Sequence, residues 1–252
     1  MCSEYQLMTA AKKVDEAIGF TVRDPKPGLG QFEFHIRIYG QAPIIVVDCD
    51  GEAKFEYAQF SLKPPGTPYS TFNARLADWD DKKDQAKKIT DRATWKKPFA
   101  ATRCLVPMTS FFEPIYSGDN AGQMMAFSSP DAPVLFAAGI FAEGPNPKKP
   151  GELYVGFAMI IHSALPHVLQ VGHHRSPVLL KSADARSYLC DSMPANERYE
   201  MLLAKRSAPR LVSVKVRDLS KGWQKRVAAN TQAHEEEMEF VRRFGESQLV
   251  KR

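Results

Sequence analysis

Two apolar runs, residues 134–143 (VLFAAGIFAE) and 153–163 (LYVGFAMIIHS), constrain the fold more than any other feature of the chain. Nearly every residue in them is apolar or small, so both faces must be covered, as in central strands. Upstream, Phe32, Phe34, Ile36 and Ile38 alternate with Glu33, His35, Arg37 and Tyr39, the period of a half-buried strand. PIIVVDC then reaches the turn Asp50-Gly51, and KFEYAQFSL reads as its hairpin partner. Three antiparallel strands this early argue against a doubly wound parallel sheet. RCLVP, SFFEP, QMMAFSS and LVSVKVR add further strands. Helices are predicted over residues 3–18, from Leu7, Ala11, Val14 and Ile18 before Gly19, over ADARSYLC after Ser182, and over ERYEMLLAKR after Pro194. These elements predict an α+β fold with a curved, mainly antiparallel, barrel-like β-sheet core and peripheral helices. No shift in composition marks a linker, so one domain over residues 1–252 is expected, with a charged, helical, peripheral tail at about 224–252.

With 252 residues, 44% of them hydrophobic, the chain can bury a substantial core. The formal charge of +5 permits a polyanionic partner without requiring one. Cys2, Cys49, Cys104 and Cys190 are too sparse for a disulfide scaffold, which points to a reducing compartment, the cytoplasm, with nucleoid association in a bacterium. Ser3, Glu4, Tyr5 and Gln6 do not form a signal peptide, and the longest apolar runs are too short to span a membrane. No membrane partner, no cofactor and a monomeric state are expected.

Met1-Cys2 is the unusual start. A Met before a small residue is ordinarily trimmed, which would leave Cys2 with a free α-amine beside its thiol. Those groups titrate near ~8 and ~8.5, and together they trap an aldehyde as an imine and then as a thiazolidine ring. The plainer reading is a small residue at a frayed end.

Polar residues elsewhere offer companions. Glu113 follows Phe111 and Phe112, so it either faces solvent or is desolvated, with a raised pKa suited to acid–base work. In His173-His174-Arg175, side chains in an extended chain would point to opposite faces, so one His at most faces a shared pocket, while Arg175 can bind phosphate or carboxylate. His162, His167 and this pair match no standard zinc spacing, and no metal is expected. Asn73 and Arg75 would share a strand face, joining an amide to a positive charge; each is also common at a surface. The mixed run at 78–97 reads first as a solvated helix surface. Its alternative is a groove in which Trp79, Trp95 and the lysines hold unpaired nucleic acid.

The ordered combination of Met1-Cys2, Phe60-Ser61-Leu62-Lys63-Pro64, Asn73-Ala74-Arg75, Arg103-Cys104-Leu105-Val106-Pro107, Phe111-Phe112-Glu113, Ala138-Gly139-Ile140 and His173-His174-Arg175-Ser176-Pro177 resembles the SRAP family of SOS response-associated peptidase-like proteins, which includes sensors of abasic sites. The resemblance implies that Cys2 links covalently to the aldehyde of an abasic site in single-stranded DNA. It implies that Asn73 orients the Cys2 amine and the sugar, that Glu113 is the acid–base group, and that His173 protonates the opening sugar. Arg75 and Arg175 would contact the backbone, with Phe60 and Trp79 as aromatic DNA contacts. Departures are Ser3-Glu4 for Gly-Arg, Pro114 for a Trp after the Glu, Phe60-Ser61 for Trp-Gly and Ser176 for Met. Glu4 puts an anion where phosphate is expected, and Pro114 removes a stacking surface.

Met1 removal, by the protein itself or by an aminopeptidase, and strand-cleaving lyase chemistry from the imine are further implications. Two rivals remain: an amidohydrolase using Cys2 as an amino-terminal nucleophile with Asn73 in its oxyanion hole, and a non-catalytic single-strand binding module.

Overall fold

Strand pairing begins at the first described residues of this computed structural model, which covers 2–24, 30–48, 50–63, 70–80, 85–146, 151–189 and 192–244. Strand β1 (Glu4–Ala10) runs into helix α1 (Ala11–Ile18), where a single helix over 3–18 is predicted from the spacing. The apolar positions 7, 11, 14 and 18 therefore belong to two elements. Within β1, Tyr5 and Leu7 are buried while Gln6 and Met8 are not, the alternation of a strand. β1 is hydrogen-bonded on both sides, by β2 (Gln31–Arg37) and, farther along the chain, by the strand carrying Phe111 and Phe112. That double pairing fixes the residues just after the amino terminus, which a helix there would not do.

The β3 (Gln41–Val47) and β4 (Ala53–Phe60) hairpin follows the sequence reading. β5 (Asn73–Arg75) leads into a two-stranded hairpin, β6 (Ala77–Asp80) with β7 (Gln85–Lys88), and then helix α2 (Ala93–Ala101). The mixed run is thus half hairpin and half helix rather than one solvated helix. β8 (Cys104–Met108), β9 (Ser110–Pro114), β10 (Gln123–Ser128), β11 (Leu135–Pro145) and β12 (Leu153–Ser163) complete the central strands. After α3 (Pro166–Val171) come β13 (Arg175–Pro177), β14 (Leu179–Leu180), α4 (Ser182–Leu189), α5 (Ala195–Ala204), β15 (Val212–Asp218) and α6 (Val227–Phe244).

β12 pairs with β4 and also with β11, closing the circuit β12-β4-β3-β8-β11 into a barrel. The fold is α+β with a closed, barrel-like sheet and peripheral helices. It is mixed at the closure, because β12 runs parallel to β4 and to β5. The second sheet, β15-β10-β9-β1-β2, lies along the chain start. One apolar cluster gathers Leu7, Phe32, Phe55 and Phe99, and another gathers Cys2, Tyr5, Phe60, Phe111, Phe127 and Phe157.

The tail is less peripheral than its composition implies. In α6, His234 Nε2 bonds the Leu169 carbonyl at 2.7 Å, and Glu237, almost fully buried, accepts from Ser163 Oγ at 3.2 Å. Met238 and Val241 pack against the second apolar cluster. Helix α6 therefore braces α3 and the end of β12, the segments that lead to His173.

Candidate active site

Four elements bring Cys2, Asn73, Glu113 and His173 together. Cys2 is fully buried, contrary to the frayed-end reading, with Sγ directed at the Glu4 carbonyl at 3.6 Å. Asn73, on β5, donates Nδ2–H to the Cys2 carbonyl at 2.9 Å. β5 can present it there because β5 lies parallel to β12, opposite Met159 to Ile161. Glu113 comes from β9, which pairs with β1 opposite Glu4 and Tyr5.

His173 enters through a turn. Gly172 closes α3 at φ 116°, a left-handed conformation, and a Cβ there would lie 2.4 Å from the Ser117 carbonyl oxygen. The adjacent histidines lie before β13, outside any strand, with a bend at His174. Their rings do not diverge as predicted but stack, with centroids 5.1 Å apart. His173 Nδ1 lies 2.8 Å from the Arg175 carbonyl oxygen and 3.3 Å from the Arg175 N–H; the shorter contact requires a proton on Nδ1, and in that tautomer Nε2 is the acceptor that faces Glu113 Oε2 at 3.6 Å.

Electrostatics divides the labour. Glu113 is fully buried, and desolvation pushes its pKa up to about 7, against the pull of the positive chain terminus. Desolvation drives His173 well below its ordinary value, with the terminal charge acting in the same sense, so the imidazole is neutral at pH 7. At neutral pH Glu113 is therefore divided between its two forms and faces an uncharged imidazole at 3.6 Å. Burial, reinforced by the Glu113 charge, raises the Cys2 thiol well above its usual value, so the thiol is not the first nucleophile at neutral pH.

These shifts predict a pH signature. A carboxyl whose pKa is raised on folding contributes stability that is full below its unfolded value, 4.5, and lost as pH rises through about 7. That change is on the order of 3 kcal/mol. His173 is depressed, so its contribution is full above 6.5 and is lost as pH falls. Glu113→Gln should therefore lose less stability than the unmodified protein between pH 5 and 8 in chemical denaturation. Identical slopes would show that Glu113 is not desolvated as described.

Arg75 and Arg175 lie on two strands that border β12, opposite Ile161 and Ser163. Burial, and then the charge of Arg175 with a smaller push from Arg75, lowers His174 to about 3. The positive potential invites an anion. A cavity of about 590 Å³ opens from Asn73 past Arg75 to Lys87, Arg92 and Trp95. Part of the mixed run does therefore border a groove at the site.

Phe60 does not take the role expected of it. It is fully buried, stacked on Phe157 at 5.1 Å and edge-on to Tyr5 at 5.4 Å, so it supports the floor below Cys2 and presents no face to a base. Trp79 lies on β6 opposite Ala86, and its side chain is outside the described residues, as are Cys49 and Cys190. Among the described residues, no His, Cys, Asp and Glu side chains group in threes able to hold a metal, and His167 bonds Ser213 instead.

The sequence reading missed how Glu4 is treated. Its carboxylate is buried and held by Arg217, with Nη1 at 3.1 Å and a closer Nη2 contact, by His35 Nε2, and by Arg37 Nε at 3.7 Å. Burial pulls its pKa up, but Arg217 and His35 outweigh that and hold it below the usual carboxylate range. The negative charge introduced at Glu4 is thus offset within the fold. No local signal marks this, because Arg217 lies on β15, at the far edge of the second sheet.

Three solved structures are similar in fold, each 20% identical. One, from Bordetella bronchiseptica, has a TM-score of 0.63 and covers 86% of this chain and 100% of its own. A Bacteroides thetaiotaomicron protein has 0.64, with 90% and 97% covered, and a phage-related protein from Bordetella bronchiseptica has 0.64, with 86% and 95% covered. No curated protein matches the chain. The profile of the SOS response associated peptidase (SRAP) family matches residues 1–220, a span that holds Cys2, Asn73, Glu113 and His173. The chain belongs to the SRAP family and shares its general activity, the processing of abasic sites and single-stranded DNA.

Proposed function

We propose that the protein senses abasic sites in single-stranded DNA by forming a thiazolidine cross-link through Cys2 once Met1 is removed. The observation that carries this reading is the placement of a desolvated carboxyl, Glu113, and a neutral His173 beside the buried start of the chain. Removal of Met1 turns the Cys2 nitrogen into the terminal amine. Asn73 holds the neighbouring carbonyl at 2.9 Å, which fixes the direction of that amine.

The chemistry then follows in order. His173 and Glu113 share the proton that the sugar ring oxygen takes up as the aldehyde opens. The amine adds to C1′, and Glu113 moves the proton to the departing hydroxyl, so one water leaves and an iminium forms. The thiol adds second, closing the ring and releasing its proton to Glu113. The raised thiol pKa supports this sequence, since the amine is the more available nucleophile. The iminium acidifies the C2′ protons, which gives a strand-cleaving lyase side reaction. The peptidase activity is removal of Met1. Asn73, Arg75 and Arg175 orient the strand, and Arg75, Arg92 and Lys87 in the adjoining cavity meet its phosphates. No cofactor takes part, and the protein acts as a monomer in the cytoplasm.

Single-stranded substrate is favoured because a paired sugar must first be extracted, at a cost of a few kcal/mol. Cross-linking to an abasic single strand, followed on denaturing gels, is expected to outpace that to the paired duplex by at least tenfold and to slow as salt rises. Equal rates across the salt series would contradict this use of the groove. A strand whose abasic aldehyde has been reduced to the alcohol is expected to give no adduct.

A further inference from the structure

A second recess lies beside the start of the chain. About 240 Å³ in volume, it is bounded by Ser3, next to Cys2, by Pro114, next to Glu113, and by Tyr116, Lys221, Trp223 and Arg226. It adjoins a groove of about 510 Å³ that shares Ser3, Met124, Leu219 and Ser220 with it and continues past Arg37 and Arg217. The turn Trp223–Arg226 that forms its outer wall lies beyond residue 220, where the family match ends.

That turn is held in place. The Leu219 N–H bonds the Gly122 carbonyl at 2.8 Å, and Arg226 Nη1 donates to the buried Tyr116 hydroxyl at 3.3 Å. Gly122 has φ 86°, and a Cβ on it would sit 2.8 Å from Trp223 Cζ2, so the missing side chain makes room for the indole. Trp223 remains partly exposed, and Lys221, Lys225 and Arg226 are exposed cations around it. Nearby acids are engaged: Glu4 by Arg217, and Asp218 by Lys215 at 2.8 Å. An aromatic face flanked by cations suits a nucleobase and its phosphate.

We propose that the turn Trp223–Arg226 is a nucleotide clasp, in which the Trp223 indole stacks on an unpaired base flanking the lesion and Arg226 and Lys221 hold its phosphate. This rests on the reading that single-stranded DNA occupies the site. It returns the aromatic surface that Pro114 lacks, from a segment distant in sequence. The bound strand would then run between two walls, one of Arg75, Arg92 and Trp95 and the other of Trp223 and Arg226.

The test measures binding separately from cross-linking. Fluorescence anisotropy would follow a labelled single strand carrying a tetrahydrofuran abasic analogue, which cannot form an imine, with flanks on both sides or cut on one side of the lesion. Trp223→Ala is expected to weaken binding about tenfold, the scale of one base–aromatic stack, and Trp223→Phe to restore most of it. The loss should vanish on one of the two shortened strands, whose missing flank identifies the clasped nucleotide. Arg226→Gln, at an exposed side chain, should lower the slope of log affinity against log salt by about one. Unchanged affinity in Trp223→Ala together with an unchanged salt slope in Arg226→Gln overturns the clasp. Failure of the unmodified protein to cross-link a natural abasic strand would instead overturn the proposed function, and the binding data would still decide the clasp.

Discussion

Replacing Cys2 with Ala is expected to abolish the denaturation-stable adduct, a loss of more than a hundredfold, while the protein stays folded. Alanine keeps the terminal amine, so a reversible imine remains possible, but no thiol is present to close the ring. Cys2 is fully buried among Tyr5, Phe60 and Phe111, so the substitution also removes packing. The stability cost should be modest, about 1 kcal/mol, as for other small truncations in a core. A thermal melt beside the gel separates the two effects. Borohydride added during the reaction should still trap some Cys2→Ala protein through the imine, and only that trapped fraction should survive denaturation. Equal cross-linking by Cys2→Ala without borohydride would remove Cys2 from the chemistry. A chain extended before Cys2 should behave worse still, since it lacks the amine for either product.

The second large effect separates Glu113 from His173. Glu113→Gln preserves volume in a fully buried position but cannot take up or release a proton, so single-turnover cross-linking is expected to fall by about 10²-fold or more. The loss should appear on a natural abasic site and on an open-chain aldehyde alike, because imine formation and ring closure both need the proton transfer. His173→Ala should be impaired on the natural site, by about tenfold, and recover most of that loss when the substrate is already an aldehyde. The 3.6 Å approach of the two groups adds a further mark. Without the imidazole acceptor, protonated Glu113 loses a partner, and the pH–rate midpoint set by Glu113 should move downward in His173→Ala. The division of roles fails when His173→Ala is as defective as Glu113→Gln on the aldehyde, or when Glu113→Gln matches the unmodified protein on the natural site.

Much of this arrangement was legible from residue patterns. Alternation at Phe32 to Ile38 and the continuous apolar runs in β11 and β12 identify strands because burial on one or both faces leaves a direct trace in sequence. Glu113 behind two phenylalanines leaves a solvent-facing and a desolvated carboxyl both open in the sequence, and the structure buries it. What escaped depends on partners far along the chain. β1 reads as helix because its apolar positions merge with those of α1, and only pairing with β2 and β9 decides otherwise. Barrel closure through a parallel β12–β4 contact has no local signature. Phe60 shows the converse: its place in a motif suggests a DNA contact, yet stacking on Phe157 buries it. The stacked histidines follow the left-handed turn at Gly172, where the extended-chain assumption behind diverging side chains does not apply. Charge counting marks Glu4 as adverse to DNA, whereas Arg217, brought in by β15, neutralises it.

The most direct test of the central claim is the intact mass of the protein after incubation with an abasic single strand and denaturation. The account predicts a single adduct equal to the Met1-less protein plus the oligonucleotide minus one water, unchanged by borohydride added after the reaction. Peptide mapping should place it on Cys2. An adduct carried by the Met1-retaining chain, or mapped to a lysine and reducible by borohydride, would contradict thiazolidine formation at Cys2.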